Sequence, residues 1–163
     1  MSPRIEFVET EPRWRRACPA RKLAREAVAA AAAEAGAKLA RGAEMTIHLV
    51  CDEAIHGLNK QWRAKDAPTN VLSFPAAPAD RLASARLIGD VFVALETLER
   101  EAAAEDKSLA DHFRHLVAHG FLHLIGYDHE TEADALVMEA IEVRALARLG
   151  IANPYAGAEL VAP

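Results

Sequence analysis

The sequence predicts an α+β fold, a small mixed β-sheet packed against several helices. Three observations carry that expectation. Short apolar and polar alternations fill the first half of the chain, an Ala-rich stretch of helical character lies between two of them, and long helical periodicity takes over after Ser108. At 163 residues, 52% of them apolar, the chain can bury a sizeable core and is expected to form one domain over residues 1–163.

The elements follow in order. "RIEFVE" at residues 4–9 alternates apolar and charged side chains, as a half-buried strand does. Residues 21–40 contain "AVAAAAAEAG", dominated by the strongest helix former, and read as a closely packed helix. "MTIHLV" (45–50) is a second strand, and Asp52 is the expected N-cap of a helix running to about Arg63. "NVLSFP" (70–75) is a short strand closed by proline, with an Ala- and Pro-rich loop after it to about Ser84. "LIGDVFVAL" (87–95) is too apolar for an edge and predicts a central strand. Residues 111–124 then form a helix that Gly126 ends in a left-handed cap. A last helix over 131–149 carries apolar residues at Leu136, Val137, Ala140, Ile141 and Leu146, and "NPY" marks its exit.

Composition narrows the function. No apolar run approaches the roughly 18 residues that cross a bilayer, and "MSPRIEFVETEPRWRR" lacks the apolar stretch of a signal peptide. A cytoplasmic protein with no membrane partner is expected. Cys18 and Cys51 are expected to be free thiols. The net charge is −5, but residues 1–44 hold nine Lys/Arg against six Asp/Glu (+3) and the remainder ten against eighteen (−8). An acidic chain binds phosphates poorly unless a local basic face exists. Candidates are Arg13, Arg15, Arg16, Arg21, Lys22 and Arg25, read equally well as solvated helix surface, and separately Lys60, Arg63 and Lys65.

The chemistry concentrates in "HGFLHLIGYDH", residues 119–129. At about 100° per residue, His112, His115, His119 and His123 share a helical stripe roughly 80° wide, although the whole chain has only seven histidines. His119 and His123, one turn apart, can aim ring nitrogens at one ion, and the turn at Gly126 lets His129 fold back as a third ligand. Three neutral imidazoles with one open position describe a catalytic zinc sphere at a helix end, one Zn2+ per chain; structural zinc sites usually close with four Cys/His ligands. His48 and His56 read as ordinary core or surface residues, His112 as packing or solvent-facing, and His115 as a support for the ligands or a substrate contact. The spacing is that of H-E-x-x-H-x-x-G-x-x-H, the metzincin pattern, with one mismatch. Gly120 stands where the general-base glutamate belongs, which argues against a peptidase.

Read whole, "HGFLHLIGYDHE" resembles the signature of the YbeY family, bacterial endoribonucleases of rRNA maturation. "LNKQWRAKDAPTNVLSFP" (58–75), "GDVFVA" (89–94) and "MEAIEVRALARLGIANPY" (138–155) are similar to further blocks of that family in order and spacing, so the resemblance covers about residues 45–155. It implies a zinc held by His119, His123 and His129, an important arginine at Arg63, and a role in small-subunit rRNA processing and ribosome quality control. RNA and the ribosomal small subunit are the implied partners, and DNA is not. The family usually has aspartate after "PT", where this chain has Asn70, a residue equally able to cap a turn.

Arg63 would offer a planar fork of donors to a phosphate whose charge grows in the transition state. Zinc with an open position would activate water, or neutralise charge while the neighbouring 2′-hydroxyl attacks; both routes stay open. Gly120 is expected to leave open space beside the metal for phosphate and ribose. Asp90, Asp128 and Glu130 are candidate bases, the last two alternatively orienting the ligand histidines. The expected function is a zinc-dependent, single-strand-specific endoribonuclease. Its alternatives are another three-His metallohydrolase and a non-catalytic ribosome-assembly factor with a stabilising zinc.

Overall fold

The computed structural model describes residues 2–156; Met1 and residues 157–163 of the expected domain lie outside them. Four strands form one sheet: β1 (Arg4–Glu9), β2 (Glu44–Val50), β3 (Val71–Pro75) and β4 (Leu87–Ala94), in spatial order β1-β2-β4-β3. β1, β2 and β4 run parallel, and β3 lies antiparallel to β4. The sheet is therefore mixed, and the apolar β4 is internal, as its composition predicts. Around it stand α1 (Trp14–Ala17), α2 (Ala20–Ala35), α3 (Asp52–Arg63), α4 (Leu95–Ala104), α5 (Leu109–Leu124) and α6 (Glu132–Arg148), with a 3-10 segment at Ala79–Ser84.

Strand alternation divides the core in two. Met45, Ile47, Leu49, Val91 and Val93 face the main core beneath α2 and α5, where Trp14 also packs on Phe113. The intervening positions Val50, Leu72 and Ala94 meet Ile55 of α3 in a smaller cluster on the opposite face. The alanines of α2 explain their own abundance: Ala24, Ala27 and Ala31 are fully buried, and such small side chains let α5 and α6 close in on the helix. α2 ends sooner than its composition suggests. Gly36 adopts φ 60°, and the N–H groups of Gly36 and Ala37 return to the carbonyls of Ala33 and Ala32, a left-handed cap that stops the helix before residues 37–40.

Other expectations change. The loop expected to reach Ser84 ends in the 3-10 segment, the strand expected over 87–95 stops at Ala94, and "LETLEREAAA" is helix α4, as its Leu, Glu, Arg and Ala content favours. On α6 the buried positions are Met138, Ile141, Glu142, Ala145 and Leu146, whereas Leu136 and Val137 are 63% and 54% exposed. Asp52 is not the N-cap of α3; Cys51 holds that position. Asp52 instead accepts from the backbone N–H and hydroxyl of Thr97 in the first turn of α4, and Glu96 of α4 accepts from the N–H of Asp52. The two helix starts thus cap each other, supplying the acceptors their free N–H groups need.

Burial pushes the Asp52 carboxyl up, but hydrogen bonds from Thr97 and Arg100 outweigh it and hold the group below its usual range. Its contribution is then fully present above the unfolded carboxylate range and is lost as pH falls through the lower folded value. Asp52→Ala is expected to lower stability by roughly 1–2 kcal/mol at neutral pH, read from urea unfolding. The deficit relative to wild type should shrink as the medium is acidified.

Candidate metal centre

α5 is the element that carries the histidines, and two glycines set how closely it meets the sheet. A Cβ on Gly120 would stand 2.8 Å from Val91 Cγ1 and 3.2 Å from Ser73 Oγ, and one on Gly89 would stand 2.4 Å from the Phe74 carbonyl oxygen. The helix therefore rests on β3 and β4 at Gly120. Ser73 Oγ locks the contact by donating to the Gly120 carbonyl at 2.9 Å. This corrects the expectation of open space at Gly120: its missing side chain makes room for the sheet, and no glutamate fits there without displacing β3 or β4. The peptidase base is excluded by packing as well as by sequence.

At its C-terminal end α5 reverses through Gly126, with φ 104°, as the N–H groups of Gly126 and Tyr127 return to the carbonyls of His123 and Leu122. The turn brings His129 back. Ring nitrogens of His119, His123 and His129 lie within 4.8 Å of one another, so the fold assembles the three histidines that the spacing singles out.

Hydrogen bonds fix how two of these rings present themselves. His119 Nδ1 donates to Glu142 Oε1 at 2.5 Å, and His123 Nδ1 donates to the Tyr127 carbonyl at 3.0 Å. With Nδ1 engaged on each ring, Nε2 is the atom left to coordinate, and these two atoms face each other at 3.0 Å. Two lone pairs so placed repel, and either a shared proton or a metal ion relieves the repulsion. Tetrahedral zinc with Zn–N near 2.0–2.1 Å sets ligand nitrogens roughly 3.3 Å apart, close to this separation. Burial, then the neighbouring His119 and His129, push His123 down to about 4, so its ring is neutral at neutral pH and ready to coordinate. The residues fit a metal ion of the nitrogen-loving kind.

Behind this pair sits Glu142, which no reading of the sequence had marked. Its carboxylate is completely buried and accepts from His119, from His115 Nε2 at 3.1 Å, and from the Tyr155 hydroxyl. Burial pushes the carboxyl up, but the hydrogen bonds from His115, His119 and Tyr155 outweigh it and bring it down to about 2. Burial and the same carboxylate push the Tyr155 phenol far above its ordinary value. Glu142 is an ionised group orienting a metal-facing histidine. A signal for it existed: Glu142 falls four residues after Met138 and three before Ala145, on the apolar stripe of α6.

The remaining candidates separate. Arg63 lines the same cleft of about 630 Å³ as His119, His123 and His129. Its Nη2 donates to the Ser73 carbonyl at 2.7 Å and its guanidinium lies over Phe74, 5.0 Å from the ring centroid. Asp128 and Glu130 line the cleft as well, Asp128 Oδ1 accepting from the His129 N–H. Asp90 does not; it pairs with His48 at 2.8 Å, and His48 stacks on Phe92. His56 pairs with Asp66. Asn70 lines the cleft and donates to Glu101, which also takes His112 Nε2. Glu101, Glu105 and His112 form a second possible ligand group, but Lys107 holds Glu105 and Asn70 and His112 already occupy Glu101. In the N-terminal basic group, Arg13 and Arg15 pair with glutamates and Arg21 and Arg25 lie over Phe7.

Comparison with known proteins converges on one family. A family model described as Endoribonuclease YbeY matches residues 11–150. A protein of that name from Azorhizobium caulinodans is 48% identical over 93% of this chain and 96% of its own. One from Beijerinckia indica is 50% identical over 100% of this chain and 82% of its own. A solution structure from Thermotoga maritima shares the fold, with a TM-score of 0.54 and 24% identity over 90% of this chain and 91% of that one.

Glu142→Gln keeps the shape of the side chain and removes the charge that orients His119. It is expected to weaken zinc affinity about 10- to 100-fold, measured by competition with a chromophoric chelator. Affinity within twofold of wild type would show that the carboxylate serves only the packing of α6.

Proposed function

The chain belongs to the Endoribonuclease YbeY family, and from that premise we propose that this endoribonuclease works with one zinc ion held by His119, His123 and His129. Its proposed substrate is single-stranded RNA, cut in the maturation of small-subunit ribosomal RNA and in ribosome quality control. The setting is the cytoplasm, and the working unit is one domain spanning the chain. One observation carries the reading: the Nε2 atoms of His119 and His123 meet at 3.0 Å in a cleft that Arg63 also lines.

Zinc supplies Lewis acidity toward a phosphoryl oxygen at such a site. The chain's own groups do the rest. Arg63 spends one N–H on Ser73 and has no carboxylate partner among the described residues, so its other donors and its charge remain for a phosphate oxygen. Phe74 supports the plane of the guanidinium. Whether the attacking oxygen comes from water or from the 2′-hydroxyl, a group in the cleft must accept one proton. Glu130 has the freer carboxylate for that task, because Asp128 already accepts from His129 and Asp90 lies with His48 outside the cleft.

Arg63→Ala is expected to keep the fold and the zinc while losing RNA cleavage about a hundred- to thousand-fold. Arg63→Lys should rescue little, since an ammonium cannot both donate to Ser73 and fork a phosphate. Cleavage by the alanine variant within a few-fold of wild type would remove Arg63 from the chemistry. Chelator-sensitive cleavage of single-stranded RNA by the wild type is the companion result. Inertness of a fully zinc-loaded wild type would favour the assembly-factor alternative.

A further inference from the structure

The sheet-facing stripe of α3 runs through Ile55, the half-buried Leu58 and Asn59, and the helical repeat carries it on to Trp62. Ile55 is fully buried and Asn59 nearly so, yet Trp62 is 61% exposed. The last turn of the helix has run past what the sheet covers. A single exposed apolar side chain needs no explanation, but the surroundings of this one are unusual for the molecule. The chain is acidic overall, whereas no Asp or Glu occurs between Glu53 and Asp66, and Lys60, Arg63 and Lys65 all do. None of these three cations pairs with a carboxylate among the described residues, and Asp66 is taken by His56.

Position relates this patch to the cleft. Trp62 stands between Asn59 and Arg63, which both line it, and leaves the helix roughly 60° from the first and 100° from the second. The indole is therefore on the lip of the cleft, outside it, with Lys65 on the same wall. An open aromatic face beside unneutralised cations is the combination that holds single strands, bases stacking on the ring while the backbone follows the charges.

We propose that Trp62 is a base-stacking platform for a nucleotide of single-stranded RNA flanking the phosphodiester to be cut, with Lys60 and Lys65 neutralising the adjoining phosphates. The proposal rests on the endoribonuclease reading and deepens it. Trp62 acts as a positioning residue: it makes no contact with the reacting atoms and gives a physical source for single-strand preference, because a base paired within a duplex cannot swing out onto the indole.

The two tryptophans make the test direct. Trp14 is 1% exposed and donates its Nε1–H to the Val50 carbonyl, so it supplies a constant background, and Trp62 is the ring that solvent and RNA reach. Titrating a short 2′-O-methyl oligoadenylate with phosphorothioate linkages, which blocks the 2′-hydroxyl route and resists attack by water, into the zinc-loaded protein should quench emission in the wild type and leave Trp62→Phe unquenched. On cleavable single-stranded RNA, Trp62→Ala should raise KM roughly 5- to 100-fold with a much smaller change in kcat. Trp62→Phe should recover part of that loss, since a phenyl ring still stacks. An unchanged KM in Trp62→Ala, with wild type cutting RNA normally, overturns the platform and leaves the nuclease reading standing. Absence of cleavage by wild type overturns the nuclease reading, and quenching by the oligoadenylate then still decides whether Trp62 meets RNA. Equal quenching by duplex RNA would contradict the stacking geometry.

Discussion

Ser73 joins the two halves of the site. Its hydroxyl donates to the Gly120 carbonyl of α5 and its own carbonyl accepts from Arg63 of α3. The histidine helix and the guanidinium are thereby fixed to the same residue of β3, from opposite sides. This arrangement requires α5 to approach the sheet closely, which only a residue without a side chain at 120 permits. Much else follows from that constraint. A larger residue at 120 would press α5 away from β3 and β4 and move His119 and His123 with it, and the glutamate of a zinc peptidase does not fit without that displacement. One small residue thus both positions the site and limits its chemistry.

Electrostatics is the second organising feature. Glu142 is an ionised carboxylate with no exposure to water, a placement that is costly unless hydrogen bonds replace the lost hydration. Three donors, from His115, His119 and Tyr155, do so. They come from α5 and from the segment after α6, so the carboxylate also ties the chain's last described turn to the histidine helix. A cation bound between the two Nε2 atoms would face this buried negative charge through His119. Glu101 of α4 and His112 of α5, joined by Asn70, repeat the carboxylate–histidine pairing nearer the start of α5.

Periodicity made much of this legible. The spacing of His119, His123 and His129 around Gly126 marked a convergence that the backbone produces, and the apolar run of β4 marked an internal strand. What escaped the sequence depends on contacts distant along the chain. Asp52 looks like a local cap, and only the parallel placement of β2 beside β4 sets it against the start of α4. Gly120 reads as empty space until β3 and β4 are seen to fill it. Glu142 reaches His119 from 23 residues further on, and Tyr155 reaches Glu142 from 13 beyond that, through a helix packing that no local pattern encodes. α4 is a different matter: its composition favours a helix, but it follows β4 with no turn residue between them to mark its start.

On the proposed reading, three imidazoles, two of them oriented by their Nδ1 partners, hold zinc in the cleft that Arg63 also lines. X-ray absorption at the zinc edge of the purified, zinc-loaded protein tests it most directly. The expected result is a four-coordinate ion with three nitrogen donors at about 2.0–2.1 Å and one oxygen donor, and loss of a nitrogen in His129→Ala. A sulfur donor at about 2.3 Å, or a spectrum unchanged by His129→Ala, would contradict it.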